Sequence, residues 1–507
     1  MRWCAVFLVL LQLTSSAASA HESLPAYNVT LTSLADVERI EATGAMVDAV
    51  QDGTATVFVP AAAQAAFEAL GLRYALVPET VPEKGTSGYH SYAGLTSHLQ
   101  QLATDNPGIT RLQTLGKSVE GREIWALLVS DNPEVEEDEP EFKYISTMHG
   151  DEPVGTELLL NFLEELLASY GNQARRTRLV DETAMWFVPV MNPDGLEHLR
   201  RTNVNGFDLN RAFPEFPSDY DGTVFDELVN SAGRQPEVRS VMEWSAANSF
   251  VLAANFHGGS VVVNYPYDED GVPSGAYAEA PDDALFRELS LLYADRNPPM
   301  SNSPFFQDGI TNGSAWYSIL GGMQDWNYRF LGCLEVTIEL STPKRPPADT
   351  LPQYWEDNRD SMWAYLEAVH RGVRGLVTDR RQGAPLWCAV RVEENPQPVF
   401  TDPDVGDYHR ILLPGTHTLT YAAPGYFPYR VQGVIVGEGD AVRRDVALSN
   451  GDINGDELVN ALDIQLVVSA ALGQNTGVNA DVNGGGVTAT DVQGVVNVAL
   501  GRPIPEE

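Results

Sequence analysis

The chain has 507 residues, 43% hydrophobic and 20% charged, a globular composition spread over more length than one ordinary core needs. Acidic residues number 70 and basic ones 32, leaving a formal charge of −38. Nucleic acid is therefore excluded as a partner, because its phosphates would be repelled rather than neutralised.

In chain order, the first element is "MRWCAVFLVLLQLTSSAASA" (1–20), with one arginine, an apolar stretch of about ten residues and the small-residue end Ala18-Ser19-Ala20. This predicts a Sec-type signal peptide, too short to span a membrane. No second long apolar run follows, so the expectation is a secreted protein with no membrane span. Cys4 leaves with the signal, and Cys333 and Cys388 are too few for a disulfide framework.

Residues 21–86 hold two strand-plus-helix patterns, "NVTLTSLADVERIEATG" and "TATVFVPAAAQAAFEALGLRYALVP", the second helix spanning Pro60 to Leu70 and stopped by Gly71. They predict a small α/β domain. The linker "PETVPEKGTSG" (78–88) offers Lys84 to a protease, which makes this domain a candidate propeptide.

Over 87–371, strand-like runs ("REIWALLVS", "FKYISTM", "MWFVPVMN", "FVLAANFHG", "CLEVTIEL") alternate with helical ones. This predicts an α/β domain whose mixed sheet is covered by helices on both faces. The acidic run "NPEVEEDEPE" (132–141) reads as a solvated loop. Short strands and turns over 372–448 predict a small all-β sandwich. At 449–503, "GDINGDELVNALDIQLVVSAALG" and "ADVNGGGVTATDVQGVVNVALG" repeat at a spacing of about 29 residues, each a polar loop leading into an amphipathic helix.

The chemistry concentrates in the α/β domain. His149 and Glu152 stand where "KYISTM" gives way to a helix, and His257 ends the strand of "LAANFHGGS". Both are carboxyl ends of strands, where an open α/β sheet collects its functional groups. In "CLEVTIELSTP", strand alternation places Glu335, Thr337 and Glu339 on one face, and burying two carboxylates is costly unless one is functional or paired. His, Glu, His and Glu at three strand ends suit a hydrolytic zinc with three protein ligands and a general base.

These residues lie in a series of motifs, "HGDEPVG" (149–155), "NPDG" (192–195), "FDLNRAFP" (207–214), "HGGSVVVNYPYD" (257–268), "TNGSAWYSILGGMQDWNY" (311–328) and "CLEVTIELS" (333–341). In order and spacing the chain resembles the zinc metallocarboxypeptidases, in the regulatory branch that includes carboxypeptidases D, E, M and N. The resemblance implies one catalytic zinc held by His149, Glu152 and His257, with Glu339 as the base. It implies that Arg201 and the Asn210-Arg211 pair clamp the substrate's terminal carboxylate, Arg201 also steadying the oxyanion, and that Tyr317 closes over the substrate. Asp268, eleven residues after His257, and Gln324 match positions that line a pocket for a basic side chain. The implied reaction releases one C-terminal residue, preferably Lys or Arg, from a peptide or protein.

The sandwich resembles the transthyretin-like module of the same branch, and the terminal repeat resembles a type I dockerin. In its first loop Asp452, Asn454, Asp456, Asn460 and Asp463 fall at calcium-loop positions 1, 3, 5, 9 and 12, with the Leu458 carbonyl at 7. The second keeps Asp481, Asn483 and Asp491 but has Gly485 in place of the third ligand and runs one residue short, so it lacks the full ligand set for a second calcium. A dockerin implies a cohesin partner. Two other readings compete: a zinc deacylase of small N-acyl amino acids, which "DLNR" and "AWYS" disfavour, and a catalytically idle binding or scaffold protein, which the filled ligand and base positions disfavour.

Overall fold

In a computed structural model the chain is described over residues 24–77, 88–215 and 232–504. The expected signal peptide and the linker stretch that holds Lys84 lie outside the described residues.

The N-terminal unit runs β1 (Ala26–Thr30), helix Ala35–Glu41, β2 (Met46–Gln51), β3 (Thr54–Phe58), helix Gln64–Ala69 and β4 (Arg73–Leu76). Its antiparallel sheet has the order β2-β3-β1-β4, which leaves β2 on an edge. The register of β2 against β3 shifts between Val47 and Ala49, so Asp48 is the extra residue of a bulge.

The central domain is built on β5 (Thr110–Lys117), β6 (Glu123–Val129), β7 (Glu141–Ser146), β8 (Ala184–Val188), β9 (Phe250–His257), β10 (Val261–Tyr265), β11 (Ile310–Asn312) and β12 (Leu334–Leu340). They form one mixed eight-stranded sheet in the order β11-β10-β12-β9-β7-β8-β6-β5. Side-chain alternation splits its core into two layers. Leu127, Val129, Phe142 and Tyr144 pack beneath helices Val154–Ser169, Asp283–Ala294 and Leu351–Glu367, while Ala126, Leu128 and Trp186 pack against helix Pro236–Ala246. The consecutive neighbours β12, β9 and β7 are parallel, so their carboxyl ends share one edge of the sheet.

Strands β13 (Val373–Asp379), β14 (Ala389–Val392), β15 (Asn395–Phe400), β16 (Asp407–Arg410), β17 (Gly415–Ala422), β18 (Tyr429–Val436), β19 (Val442–Arg443) and β20 (Val446–Leu448) make two four-stranded sheets around a separate core. Buried Arg410 reaches out of this sandwich to both Asp282 carboxylate oxygens of the central domain, each at 2.9 Å. The terminal repeat supplies helices Ala461–Ala471 and Ala489–Ala499, each opened by a capping box that uses Asp463 or Asp491. Arg381 of the sandwich lies on Asp452 and on the Gly455 carbonyl.

Two details depart from expectation. The second N-terminal helix is shorter than Pro60–Leu70, beginning at Gln64. The acidic run is not wholly solvated, because Glu139 is buried and Glu141 opens β7 inside the fold. Cys333 and Cys388 are both free and buried. Among the described residues no helix is long and apolar enough to cross a membrane.

Candidate active site

The shared edge of β7, β9 and β12 gathers the predicted residues. After β7 the chain turns through Thr147, which takes the left-handed φ of +51°, a conformation that costs a residue with a Cβ and persists only where neighbours enforce it. Thr147 Oγ1 contacts Thr156 Oγ1 at 2.7 Å, and its carbonyl accepts from Asn192 N at 3.0 Å. Asn192 Nδ2 also donates to the Met148 carbonyl. A Cβ on Gly150 would lie 2.0 Å from the Gly195 carbonyl carbon, so "HGDE" and "NPDG" are pressed together backbone to backbone. The result is a fixed exit angle for His149.

His257 ends β9, and the register pairs it with Glu339 on β12. His149 Nδ1 and His257 Nδ1 lie 3.1 Å apart, and Glu152 Oε2 is 3.2 Å from the first and 3.1 Å from the second. All three residues are buried, each offering a ligand atom within 4.8 Å of the others. Two imidazole nitrogens and a carboxylate oxygen converging on one point are a donor set that fits zinc. Burial pushes His257 down to about 4, which keeps its ring neutral as a ligand must be. Burial alone would raise the Glu152 carboxyl, but Lys344 and His149 hold it well below the usual range. Behind the ligands, Asp208 Oδ1 stands 3.0 Å from His149 Nε2, the outer contact that orients a metal-bound imidazole.

Glu339 and Glu335 share a face of β12 but differ in their surroundings. Glu335 accepts from Asn255 at 2.7 Å and Asn327 at 2.6 Å. Glu339 Oε2 is buried without a hydrogen-bond partner. Burial and the neighbouring Glu152 charge push Glu339 up to about 8, a carboxyl of raised basicity next to the His149, Glu152 and His257 cluster.

Arg201 is buried beside the same cluster, with Nε 2.9 Å from Asp208 Oδ2 and Nη1 3.4 Å from Glu152 Oε1. Farther along, Asn210 Oδ1 accepts from Met323 N at 2.9 Å. Asp268 is buried on the same side, accepting from Asn264 Nδ2 at 3.1 Å, while Gln324 Nε2 is 3.5 Å from Asn264 Oδ1. A Cβ on Gly313 would sit 2.0 Å from Asp268 Oδ1, so the carboxylate is set directly against bare backbone. Burial raises Asp268 to about 7, and no ion pair joins it among the described residues. The structure thus brings together all ten residues predicted for this site.

Three contributors escaped the sequence reading. Asp208 stands inside "FDLNR", where the motif itself points to Asn210 and Arg211. Lys344 comes from "STPKRPP", four residues beyond the strand, and its Nζ is 2.9 Å from Glu152 Oε1. Asp48 comes from the N-terminal unit. The β2 bulge aims its carboxylate into the site, where Arg201 Nη1 and Lys344 Nζ both donate to Oδ1, the latter at 2.5 Å. Around it Arg211 Nη2 donates to the Val47 carbonyl (3.0 Å), Tyr317 OH to that of Asp48 (3.1 Å) and Trp316 Nε1 to that of Val50 (2.8 Å). Trp316, Tyr317 and Ile319 join the core of the N-terminal unit. The edge strand lies across the predicted carboxylate-binding groups.

In the terminal repeat, Asp452, Asp456 and Asp463 offer oxygens within 4.8 Å of one another. Asp463 Oδ1 accepts from Ile453 N and Asn454 N, and Asp491 Oδ1 accepts from Val482 N. Asn454 and Asn460 both turn toward Asp456, at 3.0 and 3.4 Å. In the second loop Asp481 accepts from Gly484 N and Gly486 N.

A family model described as zinc carboxypeptidase matches residues 95–361. Carboxypeptidase D of Mus musculus is 43% identical over 391 residues, covering 73% of this chain and 28% of its own length. Carboxypeptidase M of Mus musculus is 38% identical over 384 residues, covering 71% of this chain and 84% of its own. The chain therefore spans just over a quarter of carboxypeptidase D and most of carboxypeptidase M. Among solved structures, the carboxypeptidase A from Helicoverpa armigera matches with a TM-score of 0.53 at 19% identity, over 68% of this chain and 97% of that one, a likeness of fold.

Proposed function

We propose, from the premise that this chain belongs to the zinc carboxypeptidase family, that it is a secreted hydrolase removing a single C-terminal Lys or Arg from peptides and proteins. The observation that carries this reading is the convergence of His149 Nδ1, His257 Nδ1 and Glu152 Oε2 beside the unpartnered Glu339. Zinc bound by those three residues supplies Lewis-acid polarisation and a water acidic enough to lose its proton near neutral pH. Glu339 Oε2 takes that proton and later gives it to the departing amine. Arg201 points its guanidinium at the carbonyl oxygen where negative charge develops. Asn210 and Arg211 hold the terminal carboxylate, and Tyr317 covers the last residue and excludes water. Asp268 and Gln324 receive the terminal side chain; a buried carboxylate with no ion pair among the described residues discriminates for Lys or Arg and against an apolar end.

In the form described here Asp48 occupies Arg201 in the manner of a substrate carboxylate, while Arg211 and Tyr317 are taken by the backbone of β2. The intact chain is accordingly latent, and cleavage in the linker near Lys84 releases the N-terminal unit and opens the site. The sandwich serves as a transthyretin-like packing module. The terminal repeat acts as a dockerin-like calcium module, with one calcium held by Asp452, Asn454, Asp456, the Leu458 carbonyl, Asn460 and Asp463, and a weaker second loop of Asp481, Asn483 and Asp491. Its exposed Leu458, Leu462, Leu472 and Leu500 support a cohesin-type partner.

The test is release of Lys, Arg or Phe from dansylated dipeptides by linker-cleaved protein, with and without a zinc chelator, beside Glu339→Gln. Basic-residue release abolished by both chelator and substitution is expected. Equal release of Phe would overturn the specificity, and undiminished activity of Glu339→Gln would overturn the mechanism.

A further inference from the structure

The acidic run at 132–141 has a structural role that its composition conceals. Glu141, the first residue of β7, is 3% exposed, and its Oε2 meets no hydrogen-bond donor. Glu136 of the same run and Asp402, from the turn between β15 and β16 of the sandwich, join it, the three carboxylates each bringing an oxygen within 4.8 Å of the others. Asp402 Oδ1 is already engaged by the amides of Asp404 and Val405, whereas Oδ2 accepts a single long hydrogen bond, from Ser249 Oγ at 3.4 Å, and has acceptor capacity to spare. Asp407 stands at the same seam, and its Oδ1 is likewise buried and without a donor.

The charge balance here is unfavourable for an empty site. Arg111 is the cation that acts on Glu136, whereas Arg443 is spent on Asp138 at 2.7 Å. The three carboxylates lie close enough to repel one another when all are ionised. One shared proton can reconcile two carboxylates, but it leaves a third still charged. A cation reconciles all three and gives the orphaned Glu141 oxygen a partner.

We propose that Glu136, Glu141 and Asp402 bind a calcium ion that pins the β-sandwich to the central domain. The ligand set is all oxygen, which selects a hard cation over zinc. The ligands come from a surface run, a strand start and a turn of a second domain, an irregular arrangement that suits the flexible coordination of calcium better than the strict octahedron of magnesium. This site is separate from the hydrolytic centre and from the terminal repeat, and it works beside the Arg410–Asp282 contact at the same domain boundary.

The experiment counts calcium by equilibrium dialysis on the full chain in metal-depleted buffer with zinc restored, for the parent, Glu141→Gln and Glu136→Gln. Glu136 is exposed, so its variant keeps the fold even if Glu141→Gln does not. Expected are one calcium fewer for Glu141→Gln and roughly tenfold weaker binding at one site for Glu136→Gln, with loading of the terminal repeat unchanged. Hydrogen exchange over 136–141 and 402–407 should slow with calcium in the parent and not in Glu136→Gln. Equal counts and affinities in all three proteins, or calcium-independent exchange in the parent, would overturn the proposal. So would a Glu141→Gln variant that melts higher than the parent with an unchanged count, which would assign the cluster to shared protons.

Discussion

Replacing Asp48 with Ala should unlock the intact chain. Its carboxylate accepts two charge-assisted hydrogen bonds, from Arg201 Nη1 and from Lys344 Nζ at 2.5 Å, in a buried setting. Bonds of that kind contribute about 1.5–3 kcal/mol each. Arg201 keeps Asp208 at 2.9 Å and Lys344 keeps Glu152 at 2.9 Å, so the net loss is less than the sum. A loss of about 3 kcal/mol from the seating of β2 corresponds to about a 150-fold shift toward the open form. The assay is the initial rate on a Lys-ended dansylated dipeptide, for parent and Asp48→Ala, each uncut and linker-cleaved. Uncut parent should be slow and uncut Asp48→Ala faster by up to that factor, with the two cleaved proteins equal. If uncut Asp48→Ala stays as slow as uncut parent while the cleaved proteins are fast, Asp48 is not the latch. If cleavage changes nothing, the strand does not close the site at all.

Asp268→Ala should lower kcat/KM for Lys-ended substrates by about a hundred- to a thousandfold, since the cationic side chain is left buried and unpaired, while a Phe-ended substrate is spared; steady-state kinetics on both substrates checks this. Asp208→Asn should weaken zinc binding by about 10- to 100-fold through loss of the carboxylate behind His149, read by competition with a chelating dye. The buried carboxyls Glu139 and Asp407 are both pushed up to about 8 by burial. Their folded forms hold protons that the unfolded chain releases near its ordinary carboxylate values, so their contribution to stability is complete at acid pH and lost as pH rises toward 8. Melting of the calcium-free protein should therefore fall by several degrees between pH 5 and pH 8, and a rising melting temperature over that range would contradict the assignment.

The proposed zinc ligands and Glu339 were legible because His257 ends one strand of strong apolar pattern, His149 and Glu152 follow another and Glu339 lies near the end of a third, and parallel neighbours in one sheet must end together. Asp268 and Gln324 were legible through their motifs. Asp48 was not, for its partner Arg201 lies 153 residues away. What betrays it is a carboxylate interrupting "MVDAVQ", where strand alternation is broken by a bulge. Lys344 carried no local signal, since it acts by reaching back across the strand end. The acidic run misled because charge averaged over ten residues speaks of solvent, whereas Glu139 and Glu141 at its end are committed to the sheet.

The pairing of β12 with β9 on one side and β10 on the other has an operational consequence. Glu339 and His257 are opposite rungs of the same ladder, so the distance between the proposed base and the proposed ligand is a property of the sheet and not of any loop. Mild denaturant or heat that loosens the sandwich or the terminal repeat will leave turnover intact. Activity cannot outlast the central strands, so turnover itself reports that the sheet is still folded.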